Sequence, residues 1–183
     1  MKKNVVAGAL LFISIVQFMM ALRIAESVYP GYSVSGNYIS DLGVGVAAPI
    51  FNTSIIILGI CVILAAYLSA EVFRSRLFRA FIALAGIGAA GVGIFPENVP
   101  VLHSVMSLIT FLFGGIAAVY SVRVLDRPVG LLSVVAGIVS LAALILFITR
   151  SYMGLGHGGM ERLIVYPVLV WGVMLAGNII SRR

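Results

Sequence analysis

Long apolar runs alternate with short polar breaks along the whole chain, and this alternation is its strongest pattern. A helix needs roughly 20 apolar residues to cross a bilayer core. Six segments meet that length, at about 4–22, 49–70, 78–95, 101–122, 129–148 and 163–180. Charge or proline marks the breaks between them: Arg23 to Pro49, Glu71 to Arg79, Pro96 to Pro100, Arg123 to Pro128 and Arg150 to Arg162. The pattern predicts an all-α polytopic bundle of six transmembrane helices forming one membrane domain over residues 1–183. The first apolar run is too long for a signal-peptide core, and no small-x-small cleavage site precedes Glu26, so it reads as a retained helix.

Composition removes the soluble classes. Of 183 residues, 62% are hydrophobic and 10% charged, with a mean hydropathy of +1.18, too few charges to cover a soluble surface. The one cysteine, Cys61, lies in an apolar run, which rules out a disulfide framework or a dithiol redox centre. The net charge of +6 is scattered singly between apolar stretches and does not form the basic stripe that phosphate backbones need, so no nucleic-acid partner is expected.

The basic residues instead report orientation, because Lys and Arg near helix ends are retained on the cytoplasmic side. Lys2, Lys3, Arg74, Arg76, Arg79, Arg123, Arg127, Arg182 and Arg183 fall on one side, nine against the three of Arg23, Arg150 and Arg162. Both termini are therefore expected in the cytoplasm, with the protein in the plasma membrane. Glu71 and Asp126, the acids of the basic side, are expected to pair with their neighbours Arg74 and Arg127.

Polar chemistry gathers at the opposite side, which on this orientation is the outer one. Both histidines and four of the six acids fall there: His103, His157, Glu26, Asp41, Glu97 and Glu161. Gln17, Asn52, Ser54, Ser107 and Thr149 are expected in the outer halves of their helices. His103, Ser107, Thr110 and Gly114 recur at i, i+4, i+7 and i+11, one helical face. Polar side chains avoid lipid, so that face is expected to point inward and line a pocket; isolated helix-to-helix hydrogen bonds would account for the same residues. Small residues at helical spacing, Gly86, Ala90 and Gly93 and then Gly130, Ser133, Gly137 and Ser140, predict close helix packing, with a hinge or passage as the alternative.

Two loops carry the candidate chemistry. In Ser35-Gly36-Asn37-Tyr38-Ile39-Ser40-Asp41-Leu42-Gly43, Ser40 and Asp41 are candidates for a site or for capping a short helix. In Arg150 to Arg162, four glycines surround His157, which predicts a flexible loop with an accessible imidazole; Glu161 and Arg162 open the last helix, as site residues or as a dipole partner and an interfacial anchor. Asp41, His103, His157 and Glu161 are the catalytic candidates, and Asn37, Ser40, Asn52, Ser107 and Arg162 the ligand-binding ones. His103, His157 and a carboxylate from Asp41 or Glu161 would supply three ligands of an open zinc site. No HExxH or paired-histidine spacing accompanies them, so no cofactor is the expectation, and bis-histidine haem would need the two rings to face each other across the bundle. Nucleotide-binding and serine-hydrolase motifs are absent.

The chain resembles an uncharacterised family of bacterial and archaeal six-helix membrane proteins catalogued as domain of unknown function 998. The resemblance rests on Ser40-Asp41-Leu42-Gly43, Ala48-Pro49-Ile50-Phe51-Asn52, His103 and Gly159-Met160-Glu161-Arg162, and covers nearly the whole chain. It implies the six-helix topology and no established activity. A looser similarity is to membrane hydrolases of the ceramidase and progestin-receptor-like superfamily, which hold zinc with three histidines beside a serine and an aspartate; this sequence has two histidines and six helices where seven are expected. Three functions are thereby expected in turn: binding or modifying a lipid or amphipathic molecule at the outer leaflet, a scaffold or interaction subunit working through a protein partner or a homo-oligomer, and a small transporter or channel.

Overall fold

The computed structural model describes residues 2–182. Met1 and Arg183, the latter one of the nine basic residues, lie outside the described residues. Six α-helices account for the apolar runs: α1 (Lys3–Val28), α2 (Ala48–Leu68), α3 (Arg76–Ile94), α4 (Pro100–Tyr120), α5 (Val129–Ile148) and α6 (Gly156–Ser181). Each is long and apolar enough to cross a membrane, and no strand occurs among the described residues. The chain is a multi-pass helical membrane protein. Its lipid-facing surface carries apolar side chains that a soluble protein would bury, such as Met20, Val135, Ile138 and Ile145.

Helix starts follow local chemistry. Pro49 and Pro100 sit in the first turns of α2 and α4, where no backbone donor is needed, and the Ser75 hydroxyl caps α3 by accepting from the Phe78 N–H at 3.2 Å. The helices close a ring in chain order, each packed on the next and α6 returning to α1. Glycines set how closely the ring closes. A Cβ at Gly86 would collide with the Gly59 carbonyl of α2, one at Gly93 with the Asn52 carbonyl, and one at Gly137 with the Gly115 carbonyl of α4. The expected small-residue faces are therefore packing surfaces.

Two boundaries differ from the sequence pattern. α1 runs on past Arg23 to Val28 because its charges are neutralised in place: Glu26 is paired with Arg23 on one side and with Arg162 on the other. α6 begins at Gly156, not 163, so most of the glycine-rich stretch is its first turns. The acids of the basic end also pair across helices, Glu71 with Lys3 and Asp126 with Arg182, each at 3.4 Å, and not with their sequence neighbours. Exposed pairs of this kind contribute little.

Candidate functional site

The long connection between α1 and α2 folds around Asp41. Its Oδ2 accepts from the Asn37 side-chain amide at 2.8 Å and from the Tyr38 N–H at 3.1 Å, while Asn37 Oδ1 accepts from the Ser33 N–H at 3.0 Å. Ser40–Gly43 is a short 3-10 turn within this frame. The first turns of α6 then clamp the loop. The Gly158 N–H donates to the Ser35 carbonyl at 3.0 Å, and the Ile39 N–H donates to a Glu161 oxygen. Arg162 donates to the Val34 carbonyl at 2.8 Å, the Glu26 carboxylate at 2.7 Å and the Tyr32 hydroxyl at 2.7 Å. Tyr32 passes its own proton on to the Tyr38 carbonyl at 2.9 Å, and burial pushes its ionisation up to about 12, against the pull of Arg162. Arg162 is consumed by this network. A buried ion pair of this kind holds geometry, and losing one partner is costly.

Under the clamped loop lies a cavity of about 470 Å³, within the roughly 300–1,000 Å³ of small-molecule sites. Tyr38, Ser40, Glu97, His103, Ser104, Ser107 and Glu161 supply its polar lining, and Leu108, Phe111, Leu144, Phe147 and Ile148 its apolar wall between α4 and α5. His103 is 8% exposed and fixed by a 2.9 Å hydrogen bond between Nδ1 and the Phe95 carbonyl. A carbonyl only accepts, so Nδ1 carries a hydrogen and Nε2 is the nitrogen left to the cavity. Glu97, in the turn between α3 and α4, lies within hydrogen-bonding reach of Asp41 and Ser40. Burial, then the Asp41 carboxyl, pushes Glu97 up to about 7, with the Ser40 hydroxyl pulling the other way. Two carboxyls so placed share a proton more readily than they hold two charges. Beside the His103 imidazole and serine hydroxyls, Glu97 can take up and return a proton near neutral pH.

Further inward, the polar cavity shares walls with two smaller spaces. Ser40, Ser107, Phe111 and Glu161 also line a narrower apolar space of about 80 Å³ in the centre of the ring, bounded by Phe18, Phe51 and Leu169 among others. Thr110, Leu58, Ala89, Val168 and Leu169 then border a third space of about 90 Å³, which reaches Trp171 and Leu175. The face of His103, Ser107, Thr110 and Gly114 borders this series of spaces from mouth to depth.

Other expected members stand apart. His157 is not a loop residue; it lies in the first turn of α6, half-buried, its ring 4.3 Å from that of Tyr38 and 6.1 Å from that of Tyr152. It reaches the cavity only through Tyr38. The glycines around it serve close approach: Gly156 has φ +72, and a Cβ on Gly158 would strike the Asn37 and Val34 carbonyls. Asn37 builds the loop, and Asn52 donates to the Gly43 carbonyl at 3.0 Å across the entry to α2, its own carbonyl buried without a partner. Gln17 donates to the Ser54 carbonyl at 2.8 Å, a helix-to-helix bond. No group of three or more His, Cys, Asp or Glu side chains is arranged to hold a metal ion among the described residues. Glu97 is the lining residue that sequence reasoning placed on the correct side but left out of the site. Its position directly after Pro96, in a five-residue break, carries no motif.

No curated protein and no solved structure matches the chain. A family model described as "Protein of unknown function (DUF998)" matches residues 6–178, nearly the whole chain, so the protein belongs to that family of membrane proteins of unknown function.

Proposed function

We propose that this protein binds, and holds for modification, a lipid or other amphipathic molecule at the outer leaflet of the plasma membrane. The observation that carries this reading is a polar cavity, lined by Glu97, His103, Ser107 and Glu161, that shares the wall residues Ser40, Ser107, Phe111 and Glu161 with an apolar space, a slot in the middle of the helix ring. A headgroup fits the first and a hydrocarbon chain the second. Leu108 and Ile148, 45% and 63% exposed on the lipid side of α4 and α5, border the same cavity. A molecule already in the bilayer could enter between them without crossing water. The outward placement rests on the nine-to-three bias of basic residues.

The competing readings find less support. A channel or transporter requires a polar route through the whole membrane thickness, whereas the deep slot is walled by Leu11, Ile15, Val62 and Leu175. A scaffold has no use for a cavity lined by Glu97, His103 and Glu161. The test is lipid analysis of purified protein, comparing wild type with Ser107→Phe, which fills the junction of cavity and slot. Wild type should retain an amphipath through detergent washing and the variant should release it. Equal retention by a folded variant would overturn the reading.

A further inference from the structure

The polar lining of the cavity has a one-sided chemistry. Ionised Glu97 and Glu161 accept hydrogen bonds, Nε2 of His103 is open to a donor, and the Tyr38 and serine hydroxyls accept or donate. Among the described residues, no Lys or Arg lines the cavity. Arg162, next in sequence to Glu161, is spent on Glu26, Tyr32 and the Val34 carbonyl. In the first turn of α4, Pro100 has no N–H and the His103 N–H donates to the Val99 carbonyl at 3.0 Å.

Two deeply buried groups face this space with unused acceptors. His103, 8% exposed, has Nδ1 committed to Phe95, and Nε2 has no protein partner among the described residues. Glu161, 5% exposed, has one oxygen on the Ile39 N–H and none of the described residues donates to the other. These acceptors open onto the cavity, where a ligand that donates can take them up. Asp41 beside Glu97 adds negative potential at the mouth.

We propose that the headgroup taken by this cavity is a cationic hydrogen-bond donor, an ammonium group on a single-chain amphipath, and that anionic phosphate headgroups are rejected. The inference rests on the amphipath reading and names its ligand class. Three N–H donors match Glu97, Glu161 and His103, while the chain lies in the slot beyond Ser107. A phosphate would meet carboxylates where it needs Arg or Lys. Proton relief runs the same way: Glu97 is pushed up to about 7 by burial and by Asp41, and an arriving cation favours its ionised form.

The test is titration calorimetry of the full chain in uncharged maltoside micelles with dodecylammonium, dodecyl phosphate and butylammonium, empty micelles being subtracted. Dodecylammonium should bind at least about tenfold more tightly than dodecyl phosphate. Glu97→Gln should narrow that preference, and Ser104→Lys, an exposed position on the cavity wall, should reverse it. Dodecyl phosphate binding as tightly as dodecylammonium to wild type would overturn the headgroup assignment while leaving the amphipath reading intact. Butylammonium binding as tightly as dodecylammonium would support the headgroup and sink the amphipath reading. Binding of none of the three would overturn both.

Discussion

A glutamate in a surface turn ordinarily ionises near 4.5, but Glu97 is half-buried with Asp41 beside it and holds its proton to about 7. The folded protein therefore binds a proton at Glu97 that the unfolded chain has already released between these values. Stability from this group is fully present below pH 4.5 and is lost as pH rises through about 7. Glu97→Gln should remove that loss, so the difference in thermal midpoint between variant and wild type should widen from pH 5 to pH 8; a constant difference would show that Glu97 is not perturbed. Arg162 makes the opposite case, a charge used for structure. With both partners 6% exposed, Arg162→Met leaves Glu26 with only the exposed Arg23 as its cation and should cost about 3 kcal/mol. Adding Glu26→Gln should recover part of it, as read by thermal unfolding. His157→Ala should cost about 0.5–1.5 kcal/mol through its lost aromatic contacts, where a flexible loop histidine would cost nothing measurable.

The two first turns of α6 show what the sequence conceals at the scale of an element. Hydropathy placed all six spans because lipid exposure demands long apolar runs. It could not place the start of α6, since Gly154, Gly156, Gly158 and Gly159 look like a loop to any propensity argument. Their reason is tertiary: the loop backbone at Val34 to Asn37 lies against Gly156 and Gly158 with no space for a side chain. Gly158→Ala should thus destabilise by about 1–3 kcal/mol, while Gly177→Ala, with nothing within 4 Å of the added methyl, should be neutral or stabilising. Comparable effects at the two positions would refute the clamp. The face of α4 was legible in advance because helical spacing alone puts His103, Ser107, Thr110 and Gly114 in line. Glu97 was not, because its partnership with Asp41 spans two loops that are distant in sequence.

At the scale of the whole molecule, a ring of six helices leaves a slot at its centre, opening at the end where the buried acids and His103 gather. Which end faces outward is settled by labelling. In a Cys61→Ala background, Val46→Cys should react with an impermeant thiol reagent on intact cells and Arg74→Cys should not; the reverse would invert the topology. The most direct test of an amphipath in the slot is photo-crosslinking with a fatty alcohol carrying a diazirine midway along its chain. Adducts should map to the Ser107–Phe111 and Ile164–Leu169 segments that line the slot and disappear in Ser107→Phe. Adducts confined to lipid-facing positions such as Val135 and Ile138, unchanged by that substitution, would contradict the account.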